Sequence, residues 1–426
     1  MKGTRFRLFP QPSFLEDFRA PETVFVSSSA GPVGKGPSDD RIYTVYPVGK
    51  ASPYGIDPLN MTDALLPPWT GDILPPAEPD AEGHFDYLQL GTPQFEMAHL
   101  YGTVRFVMDV WEGYFDRPIH WHFAPRIERL ELSILPSLDN AYTGFGFIEV
   151  GGDRKTGVYR PFSLNFDVIA HEVGHAIIYG EVGIPDPESA TGEYFGFHES
   201  AADLVALISS LHFNSLVDEL LIRTHGNLYT FNALSRMAEL SPNTQIRIAA
   251  NDVRLSSFAR GWTKEHLLSQ PLTGAFFDIF IDIFHELLRQ HGFISPEVEE
   301  LSDRLLATPE YAPVMQRHFD RAFGRNPDGF KEMLLLTRDM MGSYLADTWR
   351  RLDAQYLSYL EVAEMFESID REISGGRFRK LIKGNFDMRD IGYVRVGPQL
   401  APLGRDSHIN SVRTFVPARR SRIPIA

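Results

Sequence analysis

Between residues 165 and 210 the chain carries two apolar stretches in which ionisable side chains recur four apart: His171 and His175 in NFDVIAHEVGHAIIYG, then Glu199 and Asp203 in HESAADLVALISS. Residues four apart share a helix face, so each pair aims at one point. Two imidazoles on a stiff support suit a zinc ion, which takes nitrogen ligands at about 2.0–2.1 Å. Glu172 is rotated away from the pair but stands beside the open coordination position, where it can take a proton from a metal-activated water. This is the H-E-x-x-H spacing. A catalytic zinc needs a third protein ligand, and Glu199, 24 residues after His175, is the candidate. Asp203, one turn later, can accept the second ring N–H of a ligand histidine and fix its tautomer. Two acids on a helix are usually a solvated face. With a greasy helix after them and the histidine pair before them, one shared site is the better reading. His198 competes with Glu199 as ligand, but adjacent helical residues point about 100° apart, and Glu199 is the one in phase with Asp203.

The rest of the composition narrows the chemistry. There is no cysteine, so thiolate sites are excluded and any metal is held by His, Asp or Glu. The 426 residues, 43% hydrophobic and 23% charged, describe an ordinary globular chain with room for a sizeable core. Counting 41 basic against 56 acidic side chains gives −15, which argues against a nucleic-acid partner. MKGTRFRLFPQPSFLEDF lacks the apolar run of a Sec-type signal peptide, which favours the cytoplasm over export by another route. The most apolar stretch, residues 274–288, is interrupted by Asp278 and Asp282 and reads as too short to span a bilayer, so no membrane partner is expected.

Along the chain, residues 1–90 read as an irregular Pro/Gly-rich arm with short strand-like runs such as RIYTVYPV. An α/β lobe is expected over 91–198, with a helix in QFEMAHLYGTVRFVMDVWEGYF and a strand in IHWHFAPRIERLELSILP. In such a strand His120 and His122 would share a face, although no third ligand is evident nearby. The helix carrying HEVGH is expected to start at an Asn165 cap, with Asp167 in its first turn, and to stop near Gly180. A helical lobe is expected over 199–395, then a basic, flexible tail over 396–426. Nothing in the sequence fixes an oligomeric state.

These motifs resemble the gluzincin metallopeptidases, specifically the thermolysin-like family. DVIAHEVGHAI matches its D-x-x-x-H-E-x-x-H-A start, HESAAD matches its glutamate ligand and following aspartate, and NAYT is similar to its edge strand. EHLLSQPLTGAFFDI is similar to the segment holding its oxyanion-stabilising histidine. The resemblance covers roughly residues 90–290. It implies an α+β fold of two lobes: a mixed α/β N-terminal lobe, a central zinc helix and a mainly helical C-terminal lobe. It further implies one Zn2+ per chain on His171, His175 and Glu199, Glu172 as general base, Asp203 behind His171, and His266 at the oxyanion. Asn140, Ala141, Arg236 and Tyr194 would bind substrate. The implied activity is hydrolysis of peptide bonds in a peptide or protein substrate. The alternative is a catalytically silent scaffold that keeps a structural zinc. A metzincin would need a third histidine six residues after His175, where Glu181 stands. The acid expected for the family's calcium pair is Ser210 here, which puts calcium in doubt. No aspartate stands a turn before His266 to orient it, and no inhibitory propeptide is recognisable.

Overall fold

The computed structural model describes residues 3–13, 18, 20–26, 33–56, 64–154, 157–228, 236–241, 244–248, 251–298 and 311–400, without the side chains of 56, 64, 236–241, 244–248, 311 and 312. The 396–426 tail therefore lies almost wholly outside the described residues. The chain opens with β1 (Thr4–Leu8) and β2 (Glu22–Val26), which pair antiparallel, followed by β3 (Ile42–Val45), β4 (Gly55–Ile56) and β5 (Ala64–Leu65). Helix α1 (Pro93–Phe115) starts where the Thr92 hydroxyl accepts the Phe95 N–H and proline occupies the first turn, and ends at Asp116 in the left-handed region. Strands β6 (Leu130–Ile134), β7 (Ala141–Gly144) and β8 (Phe147–Val150) follow, then β9 (Gly152–Asp153) with β10 (Arg160–Pro161).

The main sheet runs β3-β6-β8-β7. Its first three strands are parallel, and β7 turns back antiparallel on β8 at the edge. Helix α1 lies against β3 and β6, and α2 (Phe166–Glu181) against β7 and β8. Register and strand alternation place Tyr43, Glu131, Ser133, Phe147, Glu149 and Tyr142 on one face. Lys50, Tyr54 and Trp69 reach over that face. Glu131 accepts from the Tyr43 hydroxyl at 2.5 Å, the Tyr54 hydroxyl at 2.6 Å and the Trp69 N–H at 2.9 Å. Glu149 is paired with Lys50, both side chains fully buried, and accepts from Tyr54 N–H and Tyr142 hydroxyl. Burying charges is tolerable only when they are paired and hydrogen-bonded to this degree.

The later chain supplies α3 (Gly192–Ser210), α4 (Asn214–Thr224), the antiparallel pair β11 (Arg236–Ser241) and β12 (Thr244–Ile248), α5 (Glu265–Leu268) and α6 (Gln270–Gln290). Four more helices cover Tyr311–Phe323, Pro327–Trp349, Tyr359–Ser374 and Arg379–Met388. One continuous hydrophobic cluster runs from Phe6 to Ile391. Trp111 of α1 stacks on Trp349 with ring centroids 4.8 Å apart, so early and late helices share this core.

Four expectations change. The first 90 residues are not merely an irregular arm, because β3 is an integral strand of the main sheet. The expected boundary at 198/199 falls inside α3. The second half is mainly helical, as expected, with the pair β11 and β12 set in it. The strand expected from Ile119 onward begins only at Leu130, with turns over 122–126, so His120 and His122 share no strand face. His122 instead packs among Phe123, Phe145 and Tyr179, and burial pushes its pKa down to about 4. Lastly, residues 265–290 are long and apolar enough to cross a bilayer, but they are mostly buried inside the protein, as expected of a core helix. Helix α2 ends at Glu181, one residue past Gly180 as expected, and a Cβ on Gly180 would meet the His120 carbonyl oxygen at 2.3 Å.

Candidate metal centre

Helix α2 starts as its sequence predicts, with Asn165 accepting the Val168 N–H and Asp167 in the first turn. Its apolar residues are buried, and His171 and Glu172 are buried with them. Helix α3 starts at Thr191, whose hydroxyl accepts the Tyr194 N–H at 2.9 Å and itself donates to Leu357. The two helices touch where Gly174 faces Ala202. A Cβ on Gly174 would lie 2.6 Å from the Ala202 Cα, so only glycine permits this approach. That approach carries Glu199 and Asp203 to the histidines.

The resulting distances fit one ion. His171 Nε2 lies 3.4 Å from Glu199 Oε2, and His175 Nε2 lies 3.7 Å from Glu199 Oε1. Tetrahedral bonds of zinc length put neighbouring donor atoms about 3.4 Å apart. The two separations from Glu199, one to each of its oxygens, are too long for good hydrogen bonds yet close to that edge length, which suits a metal between them. Donor atoms of His171, Glu172 and His175 also fall within 4.8 Å of one another. His171 Nδ1 is 3.0 Å from Asp203 Oδ1, so a proton on Nδ1 would be held by the carboxylate and would leave the Nε2 lone pair available to a metal ion. Thr273 reaches the other Asp203 oxygen at 3.4 Å.

His175 has a different neighbour behind it: its Nδ1 is 2.7 Å from His198 Nδ1. His198 is buried against Tyr179 and Tyr194, and burial pushes its pKa down to about 3. The nearby Tyr179 hydroxyl is pushed upward by the same cause.

His266 arrives from α5. Its Nδ1 sits 2.7 Å from Glu199 Oε2, so the zinc-ligand candidate also orients this histidine, the task for which sequence offered no aspartate. Helix α5 docks on α3 at Gly196, where a Cβ would meet the Tyr359 hydroxyl at 2.1 Å; that hydroxyl donates to the Leu268 carbonyl. Glu199, Glu265 and His266 form a second group with donor atoms within 4.8 Å, sharing Glu199 with the first. On the sheet side, the Thr143 hydroxyl of β7 lies 2.6 Å from the Glu172 carbonyl oxygen and 3.1 Å from Glu172 Oε2.

Of the sequence-derived residues, the fold thus brings together His171, Glu172, His175, Glu199, Asp203 and His266. Asn140 and Ala141 stand at the start of edge strand β7. Arg236 begins β11, which lies against α2 and α3, but its side chain is outside the described residues. Tyr194 is fully buried with its hydroxyl donating to the Gly183 carbonyl at 2.8 Å, so it braces the loop after α2 instead of facing a substrate. Sequence reading missed Thr143 and the contact between His198 and His175; only the NAYT edge-strand match and the histidine beside Glu199 hinted at them.

Fold and site together define an α+β protein with a buried His/Glu cluster able to hold a metal ion. No family model matches the chain, and no curated protein matches it. Among solved structures it is similar to the precursor of protealysin, a metalloproteinase from Serratia proteamaculans, with TM-score 0.49 and 12% identity over 87% of this chain and 90% of that one. A likeness of this degree assigns neither family nor activity.

Proposed function

We propose that the chain is a zinc-dependent peptidase of two-lobed, thermolysin-like architecture, with one Zn2+ on His171, His175 and Glu199. The observation that carries the reading is the 3.4 and 3.7 Å spacing of Glu199 from the two imidazoles, with Glu172 buried beside them. Zinc, when bound, polarises a carbonyl and acidifies water. Glu172 takes the water's proton and passes it to the leaving amine. His266, held through Nδ1 by Glu199, steadies negative charge on the carbonyl oxygen. Strand β7 pairs only with β8 among the described residues, so its other edge can receive an extended peptide by strand addition. That geometry is what favours a peptide substrate, read by Asn140 and Ala141.

Glu172→Gln tests this reading. Peptide-library cleavage should fall at least about 10²-fold while zinc stays bound at wild-type stoichiometry; unchanged cleavage would overturn the assignment.

One observation favours a second reading. With His266 Nδ1 2.7 Å from Glu199, a small shift would let His266 close the fourth position and leave a structural zinc in a silent scaffold. X-ray absorption separates the two: four protein ligands support the scaffold, and three support the peptidase.

A further inference from the structure

His175 and His198 are within 9° of parallel, with ring centroids 4.8 Å apart. Parallel rings in van der Waals contact are separated by about 3.5 Å, yet the two Nδ1 atoms are 2.7 Å apart. The rings therefore meet edge to edge in nearly one plane, as partners in an N–H···N hydrogen bond. Such a bond needs one proton and one lone pair. If His175 gives its Nε2 lone pair to a metal, its proton must sit on Nδ1, and His198 Nδ1 must be the acceptor. The reverse arrangement would put a proton on His175 Nε2 and close it to metal.

We propose that His198 is a positioning residue: its Nδ1 accepts the His175 N–H and holds His175 in the tautomer that can bind metal. This rests on the metal reading above. The task usually belongs to a carboxylate, backbone carbonyl or water, and Asp203 performs it for His171. His175 is instead served by an uncharged ring. His198 Nε2, which then carries the proton, has no hydrogen-bond partner among the described residues and lies in the aromatic surround of Tyr179 and Tyr194. An N–H can rest weakly on ring faces there. The two metal ligands are thus unequal: the carboxylate behind His171 makes it the more basic donor.

The test uses the full chain and zinc alone as probe. Zinc affinity is measured by chelator competition for wild type, His198→Leu and His198→Asn. The asparagine offers an acceptor oxygen where Nδ1 stood; leucine offers none. His198→Leu should bind zinc about 10–100-fold more weakly, and His198→Asn should recover most of that loss. Nitrogen NMR of histidine-labelled, zinc-loaded wild type should show His198 protonated on Nε2 and bare on Nδ1. Equal affinity of His198→Leu and wild type, no recovery in His198→Asn, or a proton on His198 Nδ1 would each overturn the proposal. If His198→Leu does not fold, the tautomer measured on wild type decides. Wild type that binds no zinc removes the metal reading itself, whereas tight zinc with the wrong tautomer removes only this role.

Discussion

At the scale of single residues, the site separates local from non-local information. His171, His175, Glu199 and Asp203 are legible because helix periodicity sets their facing, and periodicity is a property of a dozen consecutive residues. Asp203 carries a direct consequence. Asp203→Ala leaves the His171 Nδ1 proton without its acceptor at 3.0 Å and should weaken zinc binding about 10–100-fold. Chelator competition reads this, and an unchanged affinity would show that Asp203 is only a packed acid. Thr143 and the His198 contact were not legible, because each depends on how two separate elements meet. The rotation of about 100° that takes His198 off the ligand face is the same rotation that turns it towards the back of His175. Neighbour geometry along α3 argued against His198 as a ligand and could not supply its contact with His175.

At the scale of elements, α1, α2 and α3 could be read from apolar spacing, and Asn165 caps α2 as its type predicts. The sheet could not. Strand β3 is four residues long and pairs with β6, whose partner residues lie 88 positions on. The face under Lys50, Tyr54 and Trp69 carries Glu131, Glu149 and two tyrosines, so a reading that expects one apolar and one solvated face has little to follow. The crossing of α2 and α3 is the element contact on which the site depends, and Gly174 sets it. Gly174→Val should cost about 1–3 kcal/mol through overpacking against Ala202. It should also lower zinc affinity, because Glu199 rides on α3. Gly113→Ala in α1 is the matched control: nothing lies within 4 Å of its added Cβ, so it should be neutral or gain up to about 1 kcal/mol of helix propensity. Denaturant midpoints for both variants check the pair, and equal behaviour would remove the crossing argument.

At the scale of the whole molecule, the continuous core has a cost that appears with acid. His99 is pushed down to about 3 by burial, and His212 and His285 to about 4 by the same cause, as is His122. Their roles are structural: His99 Nε2 accepts the Phe9 N–H at 3.0 Å, and His285 Nε2 donates to the Gly226 carbonyl at 3.1 Å. In the unfolded chain each titrates near 6.5. The folded pKa lies below the unfolded one, so between about 6.5 and 4 the unfolded chain binds more protons. Stability from keeping these rings neutral is complete above about 6.5 and is lost as pH falls. At pH 5 each buried ring costs on the order of 2 kcal/mol. Buried Glu96, Glu193 and Asp278, whose pKa values burial raises, act in the opposite direction. Their gain begins as pH falls to those raised values and is complete below the ordinary carboxylate range, so it offsets part of the histidine loss. With metal removed, so that loss of bound metal at low pH does not enter, the urea midpoint should fall from pH 7 to pH 5. A midpoint that stays level or rises over that interval would mean the buried imidazoles are already charged or solvated in the native protein.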